Sequence, residues 1–284
     1  MKPINPHIKR AAEALLPARL FTTVQSIRSR NHQKQLHREW GVEQATNEMI
    51  GEYGLNVLRG PFRGMRYPQS SLASRDGIPI LFATYELELH PIIEEVASKR
   101  YDRIIDIGCA EGYYAVGLAI RTNAPVFAFD CEPRERSYLR QMARLNGVAD
   151  RIHTRSWCDP RILQRLTCGR RCLVISDCEG YELKLFQGTV LSALKNCDLI
   201  IEIHEAVPGT HARSIMLGRF SSSHNAKVIT FDQFNCGSVV PEKWREFARE
   251  FRPPGQQWLY LTPTAQDCRS KSDLYQGKAS ADRG

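Results

Sequence analysis

The sequence predicts an α/β fold built on a mostly parallel sheet with helices on both faces. Three observations support it. Between residues 103 and 203, short apolar runs typical of buried strands alternate with segments of helical periodicity. A glycine-containing turn joins the first of these strands to the next helix. Two further strand-like runs, at 227–231 and 258–262, follow where this alternation breaks, and they predict an edge of different connectivity.

The region before the alternation has three parts. Residues 8–53 are polar, basic and helix-prone, with leucines spaced for one apolar face. Residues 54–80 are rich in glycine and proline, which favours turns and short strands. Residues 86–99 have the periodicity of a helix with an inward apolar face.

The alternation itself predicts five strands and four helices. The strands are expected at 103–107, 126–129, 152–156, 173–176 and 199–203, and the helices at 113–121, 134–145, 161–166 and from 182 to 186. Right-handed crossovers between parallel strands bring their carboxyl ends to one edge of the sheet. A further helix is predicted at 242–250, between the last two strands, and the tail after residue 263 is polar enough to predict disorder.

The charge of the chain is unevenly distributed. Its 284 residues carry a formal net charge of +8, and 42% of them are hydrophobic, which excludes general disorder. Residues 1–45 carry eight basic and three acidic side chains, whereas the body carries a net charge of only +2. A basic arm on a nearly neutral body is weak evidence for a nucleic-acid groove, which needs basic residues along its active face.

Nine cysteines are present, and no pair has the C-x-x-C spacing. An odd number of thiols, several inside apolar strands, predicts reduced cysteines and a cytoplasmic location, without a zinc site. No apolar run approaches the roughly 18 residues of a membrane span. A secretory signal is not expected either, because the first residues contain no continuous apolar stretch followed by a small-residue cleavage site.

The first strand-to-helix turn carries the main chemical signal. Residues 104–113 read I-I-D-I-G-C-A-E-G-Y, and glycines at 108 and 112 allow close approach of a ligand to the backbone. Tyr113 stands where the dinucleotide fingerprint needs its last glycine. Asp106, just before the turn, is unfavourable for a phosphate and suits a cation or an amino group.

A second acid follows at the end of the second strand. Asp130 lies about 20 residues beyond the glycine turn, where a carboxylate can accept two hydrogen bonds from a ribose diol. Its alternative role is a helix N-cap before Pro133. Glycine turn, preceding acid and ribose acid together indicate S-adenosylmethionine, which has a cationic sulfonium, a zwitterionic amino-acid end and a ribose with free hydroxyls.

Four motifs, in this order, resemble those of the class I methyltransferases. They are D-I-G-x-A-x-G at 106–112, D-x-E-P at 130–133, D-C-E-G-Y-E at 177–182 and I-E-I-H-E at 201–205. Within this class the D-x-E-G-x-E segment looks most like the FkbM-type branch. The A-T-Y-E at 83–86 is similar to a G-T-Y-E segment of related bacterial proteins, although Ala83 replaces its glycine. The resemblance covers about residues 59–263.

This resemblance implies a Rossmann-like fold with a seven-stranded, mostly parallel sheet, an antiparallel edge pair and helices on both faces. It also implies methyl transfer from S-adenosylmethionine, commonly to oxygen. The residues expected to bind the donor are Asp106, Gly108, Ala110, Gly112, Tyr113, Asp130, Cys131, Trp157 and Asp159. Among them Trp157 and Asp159 are expected at adenine, although Asp159 before Pro160 is also a natural helix cap.

The segment 177–182 is the predicted catalytic region, because it brings carboxylates to the end of the fourth strand. Asp177 or Glu179 could accept the acceptor's proton, and His204, at the end of the fifth strand, is a third candidate. Alternatively Glu179 binds loop amides and His204 is structural. His224 is a weaker candidate that a polar loop would also explain.

No metal site is predicted, because no octahedral oxygen spacing is recognisable. A divalent ion held by Asp177 and Glu179, with Glu205 or His204, stays a minor alternative.

The sequence therefore predicts an S-adenosylmethionine-dependent methyltransferase that O-methylates a small-molecule or sugar-containing acceptor. The alternatives are a methyltransferase for RNA or protein, with the basic arm as docking element, and a non-catalytic protein that retains the fold. The predicted divisions are a basic helical arm (1–53), a lead-in segment (54–100), the donor-binding domain (101–264) and a disordered tail (265–284). No membrane span and no clear nucleic-acid partner are expected, and the arm could form a homodimer.

Overall fold

A computed structural model describes residues 41–72, 77–204, 211–231, 239–248, 250 and 256–264. Most of the basic arm, the polar tail and Glu205 lie outside the described residues. The predicted divisions of the chain, and a homodimer through the arm, therefore stay predictions.

Seven strands form one sheet in the order β3-β2-β1-β4-β5-β7-β6. They are β1 Arg103–Ile107, β2 Val126–Phe129, β3 Ile152–Arg155, β4 Cys172–Ser176, β5 Asp198–Ile203, β6 His224–Thr230 and β7 Gln257–Pro263. Strands β1 to β5 pair in parallel, and β7 pairs antiparallel with both β5 and β6. The predicted sheet, mostly parallel with an antiparallel edge pair, is confirmed.

Ten helices are described around this sheet. They are α1 Val42–Tyr53, α2 Gln69–Leu72, α3 Gly77–Phe82, α4 His90–Ala97, α5 Tyr113–Arg121, α6 Pro133–Leu145, α7 Pro160–Thr167, α8 Glu182–Leu185, α9 Thr189–Ala193 and α10 Ala212–Phe220. Within the described part of the chain, none of them is long and apolar enough to cross a bilayer.

The central strands β1, β4 and β5 bury both faces, since their side chains alternate between two hydrophobic cores. Ile104 and Ile175 pack into one core, and Ile105 and Val174 pack into the other. Helices α1 to α6 contribute to the first core, and α7 to α10 contribute to the second. The sheet is therefore covered on both sides, as the continuous apolar runs predict.

The helix predicted at 86–99 begins later than expected. Glu86 has a left-handed backbone (φ 48°), a single 3₁₀ turn covers Leu87–Leu89, and α4 begins only at His90. Tertiary contacts explain the difference. The Glu86 amide donates to a Glu250 carboxylate oxygen at 2.8 Å, and the Tyr114 hydroxyl donates to the Glu86 carboxylate.

The helix predicted at 242–250 is also wrong. Only Glu242–Trp244 forms a 3₁₀ turn, and the chain continues in turns to residue 248. Two long-range contacts compete with a helix here. Trp244 is buried in the first core, and the carbonyl of Ala248 accepts a hydrogen bond from the Thr84 hydroxyl at 2.9 Å.

Candidate active site

The loops after β1, β2 and β4 meet at the carboxyl edge of the sheet. The amide of Gly108 donates to the Phe129 carbonyl at 2.8 Å, and the amide of Asp177 donates to the Ile107 carbonyl at 2.9 Å. Strand order reverses between β1 and β4, and such a switch point is where open α/β sheets bind ligands. The site predicted from sequence falls at this crevice.

Both glycines of the first turn are closely packed, and the contact of Gly108 is with backbone. A Cβ on Gly108 (φ +82°) would lie 1.6 Å from the Asp177 carbonyl oxygen. A Cβ on Gly112 (φ +103°) would lie 2.4 Å from Cδ1 of Leu139. The expected reason for these glycines was close approach of a ligand. The structure adds another, because Gly108 lets the β1 and β4 loops touch.

Asp130 ties the first turn to the end of β2. One carboxylate oxygen accepts the Ala110 amide at 2.9 Å, and the other accepts the Glu132 amide at 2.7 Å. Ala110 itself has a left-handed backbone (φ 47°), a strained conformation that this hydrogen bond helps to hold.

Asp106 lies beneath this turn and is 2% exposed. Its Oδ2 has no hydrogen-bond partner among the described residues. Burial, reinforced by the charges of Asp130 and Asp177, raises the pKa of Asp106 to about 8. A cation next to this carboxyl would relieve both the repulsion and the unsatisfied oxygen.

Replacing Asp106 is expected to change the pH dependence of stability. Between pH ~4 and ~8 the unfolded chain loses the Asp106 proton and the folded protein retains it, so the free energy of unfolding falls with rising pH. The slope is at most about 1.4 kcal/mol per pH unit. The advantage of Asp106→Asn over the wild-type protein should therefore grow across this range in urea unfolding. A constant difference would contradict the raised pKa.

Three further side chains, those of Trp157, Asp159 and Tyr113, were predicted to contact the donor. Trp157 is half-buried, and its ring lies 4.9 Å from that of Tyr181. Asp159 caps α7 by accepting the Ile162 amide at 2.7 Å, which is the structural role that the sequence left open for it. Tyr113 is buried, and its ring packs edge-on against Phe62.

Cys131 is half-buried directly after Asp130. It therefore lies at the same edge of the sheet as Asp130, and its predicted contact with the donor stays a prediction.

A second group of acids surrounds His204 at the ends of β4 and β5. Nε2 of His204 lies 3.6 Å from Asp177 Oδ1, 3.7 Å from Glu202 Oε2 and 3.9 Å from Glu179 Oε2. Burial would lower the pKa of His204, but the Glu182 and Glu202 carboxylates raise it well above its usual value. All three predicted catalytic residues are brought together here.

Glu182 organises this cluster, a role that the sequence did not predict for it. Its Oε1 lies 2.9 Å from Nδ1 of His204 and accepts the amides of Cys178 and Gly180 at 3.3 Å. Burial opposes its charge, yet the His204 imidazole and these hydrogen bonds hold the pKa of Glu182 below its usual value. The loop-binding role considered for Glu179 therefore belongs to Glu182.

Glu179 has a strained, left-handed backbone (φ 54°) followed by Gly180, also at positive φ. Its side chain is 34% exposed and stands at the open side of the cluster. Burial, and then the charge of Asp177, raises the pKa of Glu179 to about 7. Non-glycine residues in this conformation are concentrated at functional sites.

Glu202 is the residue that the sequence analysis missed. It lies within β5, is 3% exposed, and its Oε1 has no hydrogen-bond partner among the described residues. Burial and the Asp177 charge raise its pKa well above the usual value. An acid in an otherwise apolar strand was the available signal.

His224, a weaker candidate from the sequence, lies at the opposite edge of the sheet. It begins β6, is buried, and its Nε2 lies 3.1 Å from the Cys197 carbonyl before β5. Since His204 follows the other end of β5, His224 belongs to the amino edge and is structural.

Comparison with protein-family models and with curated proteins found no match. In structure the chain is similar to a precorrin 8W decarboxylase from Methanobacterium thermoautotrophicum (16% identity, 63% of this chain and 90% of that chain, TM-score 0.42). It is also similar to the C-terminal domain of precorrin-6Y C5,15-methyltransferase from Rhodobacter capsulatus (12%, 64% and 89%, 0.41). A third is precorrin-6y C5,15-methyltransferase from Geobacter metallireducens (11%, 65% and 88%, 0.40). These likenesses concern the fold alone.

Proposed function

We propose that the protein is an S-adenosylmethionine-dependent methyltransferase of the FkbM type that methylates a hydroxyl of a small molecule. One observation carries this proposal. The Asp130 carboxylate is fixed to the glycine turn, and beside it lies the buried carboxyl of Asp106, whose Oδ2 has no hydrogen-bond partner among the described residues. Two acids at the crevice suit a ligand with a ribose diol and a positive charge.

The residues present fit this donor better than a nucleotide phosphate. Asp130 would accept from the ribose hydroxyls, and Asp106 would face the cationic amino-acid end. A phosphate at the same turn would be repelled by the Asp130 carboxylate, and Asp106 offers it no positive charge. When bound, S-adenosylmethionine supplies an electrophilic methyl group, whose bond to sulfur breaks as a bond to the acceptor oxygen forms.

Glu179 is proposed as the group that takes the acceptor's proton. Its side chain is partly exposed and lies next to the side chains of Asp177 and His204. The strained backbone of Glu179 and the Glu182–His204 hydrogen bond hold these groups in one arrangement. Such positioning supplies much of the acceleration in a direct displacement.

The charge of the site favours a small acceptor over RNA. Its side chains are mostly acidic, whereas a phosphate backbone is bound by basic ones. The acidic side chains are Asp106, Asp130, Asp177, Glu179, Glu182 and Glu202. A cytoplasmic location is part of the proposal, because the seven cysteines of the described residues are thiols.

A transfer experiment tests the proposal. The protein is incubated with methyl-labelled donor and a cell extract separated into small-molecule, RNA and protein fractions. We expect label in the small-molecule fraction, and a rate lower by roughly 10²–10⁴ in Glu179→Gln, because the proton acceptor is lost. Binding of S-adenosylhomocysteine should stay unchanged in this variant. Label confined to RNA or protein, or full activity of Glu179→Gln, would refute the corresponding part.

A further inference from the structure

Next to Glu179, three side chains bring atoms that could bind a metal ion close together. One atom each from Asp177, Glu202 and His204 lies within 4.8 Å of the others. Two carboxylates and one imidazole are a donor set that divalent first-row transition metals bind in proteins. A cluster of acids alone would not indicate a metal, because ion-pair networks also gather acids.

The second observation is the unsatisfied side chain of Glu202. The side chain of Glu202 is only 3% exposed, and its Oε1 has no hydrogen-bond partner among the described residues. Oδ1 of Asp177 lies 3.6 Å from Nε2 of His204, and it too is buried without a hydrogen-bond partner among the described residues. Unsatisfied buried carboxylate oxygens are costly, and a bound cation would compensate for that cost.

The third observation is the orientation of the imidazole. Glu182 is 3% exposed at the side chain, and its Oε1 lies 2.9 Å from Nδ1 of His204. With Nδ1 donating to Glu182, Nε2 faces Asp177 and Glu202, and a cation bound there would displace the proton that these carboxylates favour on Nε2. Metal-binding histidines characteristically donate their other ring N–H to a carboxylate in this way.

We propose that Asp177, Glu202 and His204 bind a divalent transition-metal cation, with Glu182 as a positioning residue. In the methyl-transfer reaction, the cation would bind the acceptor hydroxyl and make its proton easier to remove by the adjacent Glu179. That role in the reaction rests on the proposed function, whereas cation binding does not.

The test is a titration of the intact protein with Mn²⁺, in which electron paramagnetic resonance reports the free ion. We expect saturable binding of one Mn²⁺ and displacement of the ion by Zn²⁺. Glu202→Gln and Asp177→Asn should lose this binding, and Glu182→Gln should weaken it by roughly 10–100-fold. Glu95→Gln is the matched control, since Glu95 pairs with Lys99 away from the cluster and should bind Mn²⁺ like the wild-type protein.

Two readouts keep the test decisive. Thermal unfolding verifies that each variant is folded, and a second titration measures S-adenosylhomocysteine. Folded Glu202→Gln that binds S-adenosylhomocysteine but no Mn²⁺ supports the site. Wild-type protein that binds S-adenosylhomocysteine without Mn²⁺, or equal Mn²⁺ binding by Glu202→Gln and wild type, overturns it. Mn²⁺ binding without S-adenosylhomocysteine binding supports the site and overturns the proposed function instead.

Discussion

Asp130→Ala should abolish binding of S-adenosylhomocysteine to the intact protein. The ribose hydroxyls of the ligand would lose two charge-assisted hydrogen bonds to the Asp130 carboxylate, each contributing about 1.5 kcal/mol or more. The same substitution removes the anchor of the Ala110 amide, so the glycine turn also loses its fixed shape. Together these losses correspond to at least about a 100-fold fall in affinity, measurable by isothermal titration calorimetry.

Asp102→Ala is the matched control for this experiment. Its carboxylate also accepts a backbone amide, that of Arg171 at 2.9 Å, but it precedes β1 at the opposite edge of the sheet. The control should lose a comparable hydrogen bond and keep its affinity for S-adenosylhomocysteine. Equal affinities in Asp130→Ala and wild type would remove Asp130 from the donor site.

Gly108→Ala should destabilise the protein by about 2–5 kcal/mol, or prevent folding, as measured by urea unfolding. The new Cβ would lie 1.6 Å from the Asp177 carbonyl oxygen, so the β1 and β4 loops would have to separate. Overpacking of this kind costs roughly 1–3 kcal/mol or more. The left-handed backbone (φ +82°) adds about 1–2 kcal/mol for a residue with a Cβ.

Gly169→Ala separates the two contributions. Gly169 has a similar backbone (φ +68°), but a Cβ there would meet nothing within 4 Å. Only the conformational cost of about 1–2 kcal/mol is expected for this control. If both variants lost the same stability, the claim that the two loops are in close contact would be contradicted.

Local patterns were sufficient to predict the parallel strands and the position of two acids at the carboxyl edge of the sheet. Each strand is a short apolar run ended by a turn, and both cores depend on that pattern. Asp106 and Asp130 follow directly from their positions at strand ends. The antiparallel pair was predicted as well, although β6 begins at His224, three residues earlier than expected.

Features that depend on long-range contacts could not be predicted in this way. Glu86 has helical neighbours in sequence, yet its contacts with Tyr114 and Glu250 place it in a left-handed conformation. In the sequence Glu182 is an ordinary acid in the first turn of a helix, and its contact with His204 depends on the packing of β5 against β4. Likewise, Glu202 gains chemical meaning only when β4 places Asp177 beside it.

A crystal structure of the full chain with S-adenosylhomocysteine tests the central claim most directly. We expect the ribose hydroxyls on the Asp130 carboxylate and the amino group of the ligand beside Asp106, at the turn that contains Gly108 and Gly112. Ligand bound elsewhere on the molecule, or none at a saturating concentration, would contradict the assignment of this edge of the sheet as a methyl-donor site.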